Sequence, residues 1–189
     1  MESTNSRLPI ALLVLVLVYA VMLLARGQVW SGAGIDEPHY YAQAVSPLWD
    51  GNLDFSNEFL QSRNDYGMSR EMAGRIFLNG RLDLPFSFGM AFFSGPVGFL
   101  TKGLDSFTGW RLGEGDRYAY FHRLVPSAVS WAMVLFGLMA AYFVALRYTS
   151  AQRSLFLVLG IFLGTNLCFY TWHGSAMAHG VSFAMGAIV

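Results

Sequence analysis

The sequence predicts an all-α polytopic membrane protein, and its composition, charge distribution and helix-length apolar segments support that prediction. Hydrophobic residues make up 54% of the chain and charged residues only 13%, against roughly 25% charged in an ordinary soluble domain. Eleven of the 12 acidic residues, all but Glu2, lie between Asp36 and Asp116. No Asp, Glu, Lys or Arg follows Arg153, a distribution that a bilayer favours and a soluble fold does not.

Charge and cysteine content exclude several function classes. The formal net charge is zero and the chain has no basic run, so we predict no nucleic-acid partner. The single cysteine, Cys168, cannot form a disulfide within the chain. No pair of histidines with an acidic residue has the spacing of a zinc site, so we predict no metal ligand set.

The first apolar segment predicts a helix that crosses the membrane. Leu8 to Ala25 carries no charge and is flanked by Arg7 and Arg26. At about 1.5 Å per residue it is long enough to span a bilayer core. We interpret residues 8–26 as a retained signal anchor that follows a cytoplasmic head, residues 1–7. The alternative is a cleavable signal peptide, but its apolar region would run to roughly 15 residues at most.

Residues 27–122 form a long polar stretch, which we predict to be an external loop with juxtamembrane helices at about 37–49 and 84–101. Its many aromatic residues argue against a disordered linker. Within 37–49, apolar residues recur with the 3.6-residue period of an amphipathic helix. They are Tyr40, Tyr41, Ala44, Val45, Leu48 and Trp49. Asp36 is a natural N-cap for this helix, and an aromatic apolar face suits the membrane interface.

Leu84 to Thr101 is the ambiguous segment. It is uncharged and long enough to cross a membrane, but it contains Pro85 and Pro96 together with several glycines and serines. Such residues are tolerated where the backbone is covered by protein or is re-entrant. We favour an interfacial or re-entrant helix, and the alternative of a crossing helix stays open because the positive-inside rule accepts both topologies.

Three further apolar segments follow the polar stretch. We predict membrane spans at 123–147 and 154–172, joined by a short cytoplasmic loop at 148–153. An external turn at 173–179 then leads into 180–189, which starts like a fourth span and stops after about 15 Å. On that ground we expect the chain to be an N-terminal fragment of a longer protein, and we expect residues 1–189 alone to be inactive.

The run Gly34-Ile-Asp-Glu-Pro-His-Tyr-Tyr41 is the part of the chain most indicative of chemistry. It places two adjacent carboxylates, Asp36 and Glu37, shortly after the first predicted span. One interpretation is structural, since Asp36 can cap a helix and Glu37 favours its dipole. Capping needs only one acidic residue, however, and a carboxylate at this place is also suited to general-base chemistry.

Two pairs of motifs resemble the C superfamily of membrane glycosyltransferases, especially its protein O-mannosyltransferase-like and aminoarabinose-transferase-like bacterial branches. Asp36-Glu-Pro-His-Tyr-Tyr41 with Leu48-Trp-Asp-Gly-Asn-Leu-Asp-Phe55 is similar to the "DEPHY … L-x-D-G-D-L-D" run of many members. Gly164-Thr-Asn-Leu-Cys-Phe-Tyr170 with Ser175-Ala-Met-Ala-His-Gly-Val-Ser182 is similar to their "GTPLLYY … MSHAxS" stretch. The resemblance implies a glycosyltransferase C-type N-terminal module with juxtamembrane helices in the first external loop, including 84–101.

The resemblance also implies an activity and a set of site residues. The activity is transfer of a sugar from a polyprenyl phosphate to an extracytoplasmic acceptor, which would be a glycan, a lipid or a protein. Asp36 is then the catalytic base, or the acid that orients the acceptor, and Glu37 supports it. Expected substrate-binding residues are His39, Tyr40, Arg81, Arg123, His173 and His179. No cofactor is implied, and a divalent cation held by Asp36 stays open.

The chain departs from this family at the phosphate-binding position. Many relatives have a lysine in a P-P-L-x-K motif before the second juxtamembrane helix, where this sequence reads Arg81-Leu-Asp-Leu-Pro85. The phosphate ligand is therefore unassigned, with Arg81 and Arg123 as candidates. His39 and His179 also have structural interpretations, as a helix-face residue and as a partner of a neighbouring carbonyl group.

The resemblance predicts an integral plasma (inner) membrane protein of the cell envelope, with its active face on the periplasmic or extracellular side. The chief alternative is a non-enzymatic transporter or assembly subunit, which accounts for the hydrophobicity but not for the Asp-Glu-Pro-His run. A lipid-carrier flippase or O-antigen ligase-like protein is a third possibility. A transporter should have polar residues in mid-helix, and the predicted spans have few.

Overall fold

The computed structural model describes residues 14, 16–17, 21, 37–55, 75–76, 82–83, 89–108, 120–172 and 178–188. These residues are mostly helical, in agreement with the predicted all-α class. The helices are α1 (Glu37–Trp49), α2 (Gly89–Thr108), α3 (Tyr120–Leu146), α4 (Ala151–Gly164), α5 (Asn166–Trp172) and α6 (His179–Ile188). Two short strands, β1 (Arg75–Ile76) and β2 (Leu82–Asp83), pair in antiparallel orientation.

The chain forms two units. Unit 1 comprises residues 1–29, 130–175 and 179–189, and unit 2 comprises residues 30–129 and 176–178. Most of α3 and all of α4, α5 and α6 belong to unit 1, whereas α1, α2 and the strand pair belong to unit 2. The predicted site residues are therefore divided between the units.

One helix among the described residues is long and apolar enough to cross a membrane. It is the 22-residue part of α3 from Val125 to Leu146, which is about 33 Å long at 1.5 Å per residue and lies within the predicted span 123–147. In the first predicted span, the described residues are helical and exposed. They are Val14, Val16, Leu17 and Val21. That the chain crosses the membrane several times stays a prediction.

The apolar core of unit 1 is built from residues one helical turn apart. Leu138 lies four residues from both of its buried neighbours on α3, so the three side chains line one face of that helix. α4 contributes two residues with the same spacing, and α5 contributes one. The buried members are Val134, Leu138, Tyr142, Val158, Phe162 and Leu167.

Two helices occupy the range 154–172, for which a single membrane span is predicted, and whether this range crosses the membrane stays a prediction. α4 and α5 are separated by Thr165, whose backbone is extended (φ −120°, ψ 173°). The Thr165 hydroxyl donates to the Ile161 carbonyl oxygen at 2.7 Å and accepts the Leu167 N–H at 3.2 Å. One side chain thus makes hydrogen bonds with the last turn of α4 and the first turn of α5. These bonds offset part of the free-energy cost of interrupting the helix.

Helix α2 overlaps the helix predicted at 84–101 and extends beyond its C-terminal end. It begins at Gly89 and continues past Lys102 to Thr108, and residues 84–88 lie outside the described part of the chain. Pro96 lies inside this helix. The C-terminal part of α2 thus lies beyond the predicted apolar segment and contains charged and polar residues.

Helices α3 and α6 approach each other closely through small residues. A Cβ added to Gly180 would lie 2.5 Å from Ser130 Oγ and 2.9 Å from the Ser130 carbonyl oxygen. A Cβ added to Gly137 would lie 2.9 Å from the Cα atom of Ala184. Gly180 and Ala184 are four residues apart and share one face of α6. This is the small-xxx-small pattern through which helix backbones pack in membranes.

We predict that Gly180→Ala destabilises the protein and that Gly186→Ala does not. At Gly180 the new methyl group collides with α3, and such overpacking costs about 1–3 kcal/mol. Gly186 lies on the same helix and has no atom within 4 Å of an added Cβ. Alanine there should add about 0.5–1 kcal/mol by favouring the helix. Thermal unfolding in detergent measures both changes, and equal melting temperatures would contradict the described α3–α6 contact.

Candidate functional site

The Asp-Glu-Pro-His run stands at the start of α1, a helix that occupies the range 37–49 predicted from the sequence. α1 begins at Glu37, so Asp36 is the residue directly before it in the chain. Pro38 falls in the first turn, where its missing N–H removes no helical hydrogen bond. Three predicted site residues, Asp36, Arg81 and His173, lie outside the described residues, as do the side chains of Glu37 and Arg123.

The buried face of α1 is polar. His39, Gln43 and Ser46 are each at most 1% exposed, and Ala42 is equally buried. Their spacing of i, i+3, i+4 and i+7 places them in one stripe along the helix. His39 and Gln43 each take part in at least one hydrogen bond, ring contact or electrostatic interaction. Such a stripe is unusual in a helix that serves only for packing, because buried polar groups must be satisfied.

Gln43 and Ser46 were not predicted as site residues, whereas His39 was. The polar positions of an amphipathic helix are ordinarily those that face water, so nothing in the sequence marked Gln43 as buried. On the apolar face of α1, Ala44 is buried, whereas Tyr40 and Leu48 are only half-buried. The signal that could have identified Gln43 is its distance of four residues from His39.

A turn closed by side chains ends α1. Gly51 has a φ of 68°, the left-handed conformation that glycine adopts readily after a helix. The Ser46 hydroxyl lies 3.2 Å from the carbonyl oxygens of Asn52 and Asp54, and the Asn52 side-chain oxygen accepts the Asp54 N–H at 2.8 Å. Phe55 is then buried. The Asp-Gly-Asn-Leu-Asp motif therefore folds back against the buried face of α1.

Helix α2 packs against α1. A Cβ on Gly98 would lie 2.8 Å from Cδ1 of Leu48, so glycine lets this leucine approach the α2 backbone. The ammonium group of Lys102 donates a hydrogen bond to the Leu48 carbonyl oxygen, in the last turn of α1. A cation at this end satisfies a carbonyl group that has no partner within the helix and opposes the helix dipole.

His179, in unit 1, is the first residue of α6, and its side chain is exposed. Its imidazole stacks on the ring of Tyr170, with the ring centroids 3.8 Å apart and the planes 22° from parallel. We call these two residues the stacked pair. The rings of Phe169 and Tyr170 meet edge to face, with their centroids 5.6 Å apart. The three rings form an aromatic cluster that joins the end of α5 to the start of α6.

The described site residues thus form two groups, His39 and Tyr40 on α1 in unit 2 and His179 in unit 1. Within the described part of the chain, no group of three His, Cys, Asp or Glu side chains could hold a metal ion. Comparisons with protein-family models, curated proteins and solved structures gave no match. A functional conclusion therefore depends on the residues of this chain.

We predict that Lys102→Met loosens the contact between α1 and α2. Methionine keeps the apolar stem but cannot donate to the Leu48 carbonyl oxygen. The expected loss is about 1.5–3 kcal/mol of unfolding free energy, the range for a hydrogen bond to a charged group. Thermal unfolding in detergent measures it, with Lys102→Arg as the matched control that retains charge and donors. Equal losses in both variants would show that the donated hydrogen bond is not the stabilising feature.

Proposed function

We propose that the protein is an integral membrane glycosyltransferase module that transfers a sugar from a polyprenyl phosphate to an extracytoplasmic acceptor. The observation that carries this proposal is the sequence position of Asp36 and Glu37, immediately before and at the first residue of a helix whose inner face is polar and buried. A carboxylate that only capped a surface helix would not require His39 and Gln43 buried behind it. Asp36 would supply the base, and the buried polar stripe behind it would fix the start of α1.

The proposed reaction consists of one proton transfer and one displacement. The Asp36 carboxylate accepts the proton of the acceptor hydroxyl, and the acceptor oxygen forms a bond to the anomeric carbon of the sugar. The bond from that carbon to the phosphate oxygen breaks, and polyprenyl phosphate leaves with the electron pair. Because phosphate is a stable leaving group, it needs charge neutralisation more than protonation. Arg81 and Arg123 are the proposed cations.

A membrane location is supported by the burial pattern of α2. Its inward residues, Met90, Ser94 and Gly98, include two that are small or polar, whereas large apolar side chains are exposed. These are Phe92, Val97, Phe99, Leu100, Leu104 and Phe107. Moving one such large side chain from water into an apolar environment is favourable by about 1.5–3 kcal/mol. A helix surface with this many exposed apolar side chains is more favourable in contact with lipid than with water.

Unit 1 has the same pattern. Ser130, Ser154 and Thr171 are buried, and the Thr171 hydroxyl donates to the Leu167 carbonyl oxygen one turn earlier at 2.8 Å. A hydroxyl that donates to a carbonyl oxygen of its own helix has a hydrogen-bond partner even in apolar surroundings. Large apolar residues are exposed on the same helices. They include Phe136, Phe143, Phe156, Leu157, Leu163 and Phe169.

The proposed topology places the end of α2 outside the cytoplasm and the α3–α4 connection inside it. In a Cys168→Ser background, Ser106→Cys should react with a membrane-impermeant maleimide on intact cells. Gln152→Cys should react only after the membrane is opened. Both positions are exposed in the structure, so the membrane rather than the fold limits access. The reverse labelling pattern would reject the topology.

Asp36→Asn distinguishes catalysis from capping. Asparagine remains a good N-cap but is no general base, so the transfer rate should fall by a factor of about 100 to 10,000. The melting temperature should be unchanged. Transfer of a labelled sugar from a polyprenyl-phosphate donor is measured with the full-length protein in proteoliposomes. Wild-type turnover by Asp36→Asn would leave the carboxylate pair with a structural role only.

Asp50→Asn is the matched control for this measurement. Asp50 is exposed and directly follows α1, and its backbone N–H donates to the Ser46 carbonyl oxygen at 2.9 Å, which asparagine preserves. The variant should transfer sugar at the wild-type rate. Asp54 is less suitable as a control, because it is half-buried and belongs to the turn that closes α1.

A further inference from the structure

The backbone is anchored to α3 on both sides of the stacked pair. The indole N–H of Trp131 donates to the carbonyl oxygen of Thr171 at 3.2 Å, next to Tyr170 in the chain. Gly180, which follows the histidine, lies so close to α3 that an added Cβ would be 2.5 Å from Ser130 Oγ. Because Ser130 and Trp131 are consecutive, one turn of α3 holds the chain where it leaves α5 and where it enters α6.

The stack restricts a side chain that would otherwise be mobile. An exposed histidine usually changes rotamer on the picosecond to nanosecond scale. The imidazole of His179 instead lies nearly parallel to the Tyr170 ring at 3.8 Å, and Phe169 packs against that ring in turn. A side chain already held in one orientation loses less conformational entropy when it binds a ligand.

We propose that Tyr170 is a positioning residue that holds the imidazole of His179 for contact with the sugar-phosphate donor. The inference rests on the proposed function and on the expectation from the sequence that His179 is a substrate-binding residue. Tyr170 acts through His179, and the anchors at Ser130 and Trp131 place the pair. The role belongs to the aromatic face of Tyr170 and not to its hydroxyl, since the stack uses the ring.

A double-mutant cycle tests this role. kcat and KM are measured in proteoliposomes for Tyr170→Leu, His179→Ala and the combined variant, with Tyr170→Phe as the conservative variant. Tyr170→Leu should lower kcat/KM by about 10- to 100-fold, the cost of a misplaced contact group. The combined variant should be no worse than His179→Ala alone, because both changes remove one interaction. Tyr170→Phe should retain wild-type activity.

A second measurement follows the stack without activity. The chain has 4 histidines, and the NMR signal of the His179 ring is assigned by its disappearance in His179→Ala. Stacking should shift this signal in the wild type and in Tyr170→Phe. In Tyr170→Leu it should return to the position of an unstacked histidine. Should Tyr170→Leu melt early, Tyr170→Met takes its place as a variant without a ring.

The outcomes separate this inference from the proposed function. Additive losses in the combined variant, a wild-type kcat/KM for Tyr170→Leu, or an unshifted His179 signal in the wild type would overturn the positioning role and leave the glycosyltransferase proposal standing. Absence of transfer by the full-length wild-type protein at a normal melting temperature would overturn both.

Discussion

Close approach of helix backbones through small residues is the contact on which both described units depend. In unit 1, Gly180 and Ala184 let α6 pack closely against α3. In unit 2, Gly98 leaves room for the Leu48 side chain to contact the backbone of α2. In apolar surroundings no hydrophobic effect drives large side chains inward. Short-range dispersion and hydrogen bonds between helices supply the cohesion instead. Several large apolar side chains are exposed on these helices, while Leu138, Tyr142 and Phe162 form the buried core of unit 1.

The polar inner face of α1 depends on the same kind of contact. A buried polar group that lacks a partner costs about 1–3 kcal/mol, so a stripe with His39, Gln43 and Ser46 is stable only if its surroundings satisfy it. At the C-terminal end of α1, Lys102 donates a hydrogen bond to the helix backbone, and the turn at Gly51 follows the helix. These contacts fix the C-terminal end of α1.

The 3.6-residue period was sufficient to predict α1, and the length of an uncharged apolar run was sufficient to predict the long apolar part of α3. The break at Thr165 was not predicted, since an uncharged threonine in an apolar run has no compositional signature. Of the candidate site, His39 and His179 were predicted and their neighbours were not. The burial of Gln43 and the stacking of Tyr170 depend on how helices pack, and no local pattern in the sequence contains that information.

The contact between α1 and α2 suggests how a polar helix would be kept at a membrane surface. The polar inner face of α1, with His39 and Gln43, is covered within the fold and is not available to lipid. α2 supplies the apolar surface, with Phe92, Phe99 and Phe107 exposed along one helix, and holds α1 through Leu48. If α2 lies in the interface, α1 is carried to the depth at which the phosphate of a lipid-linked sugar leaves the hydrocarbon. A carboxylate at the start of α1 would then meet the sugar while the polyprenyl tail remains in lipid.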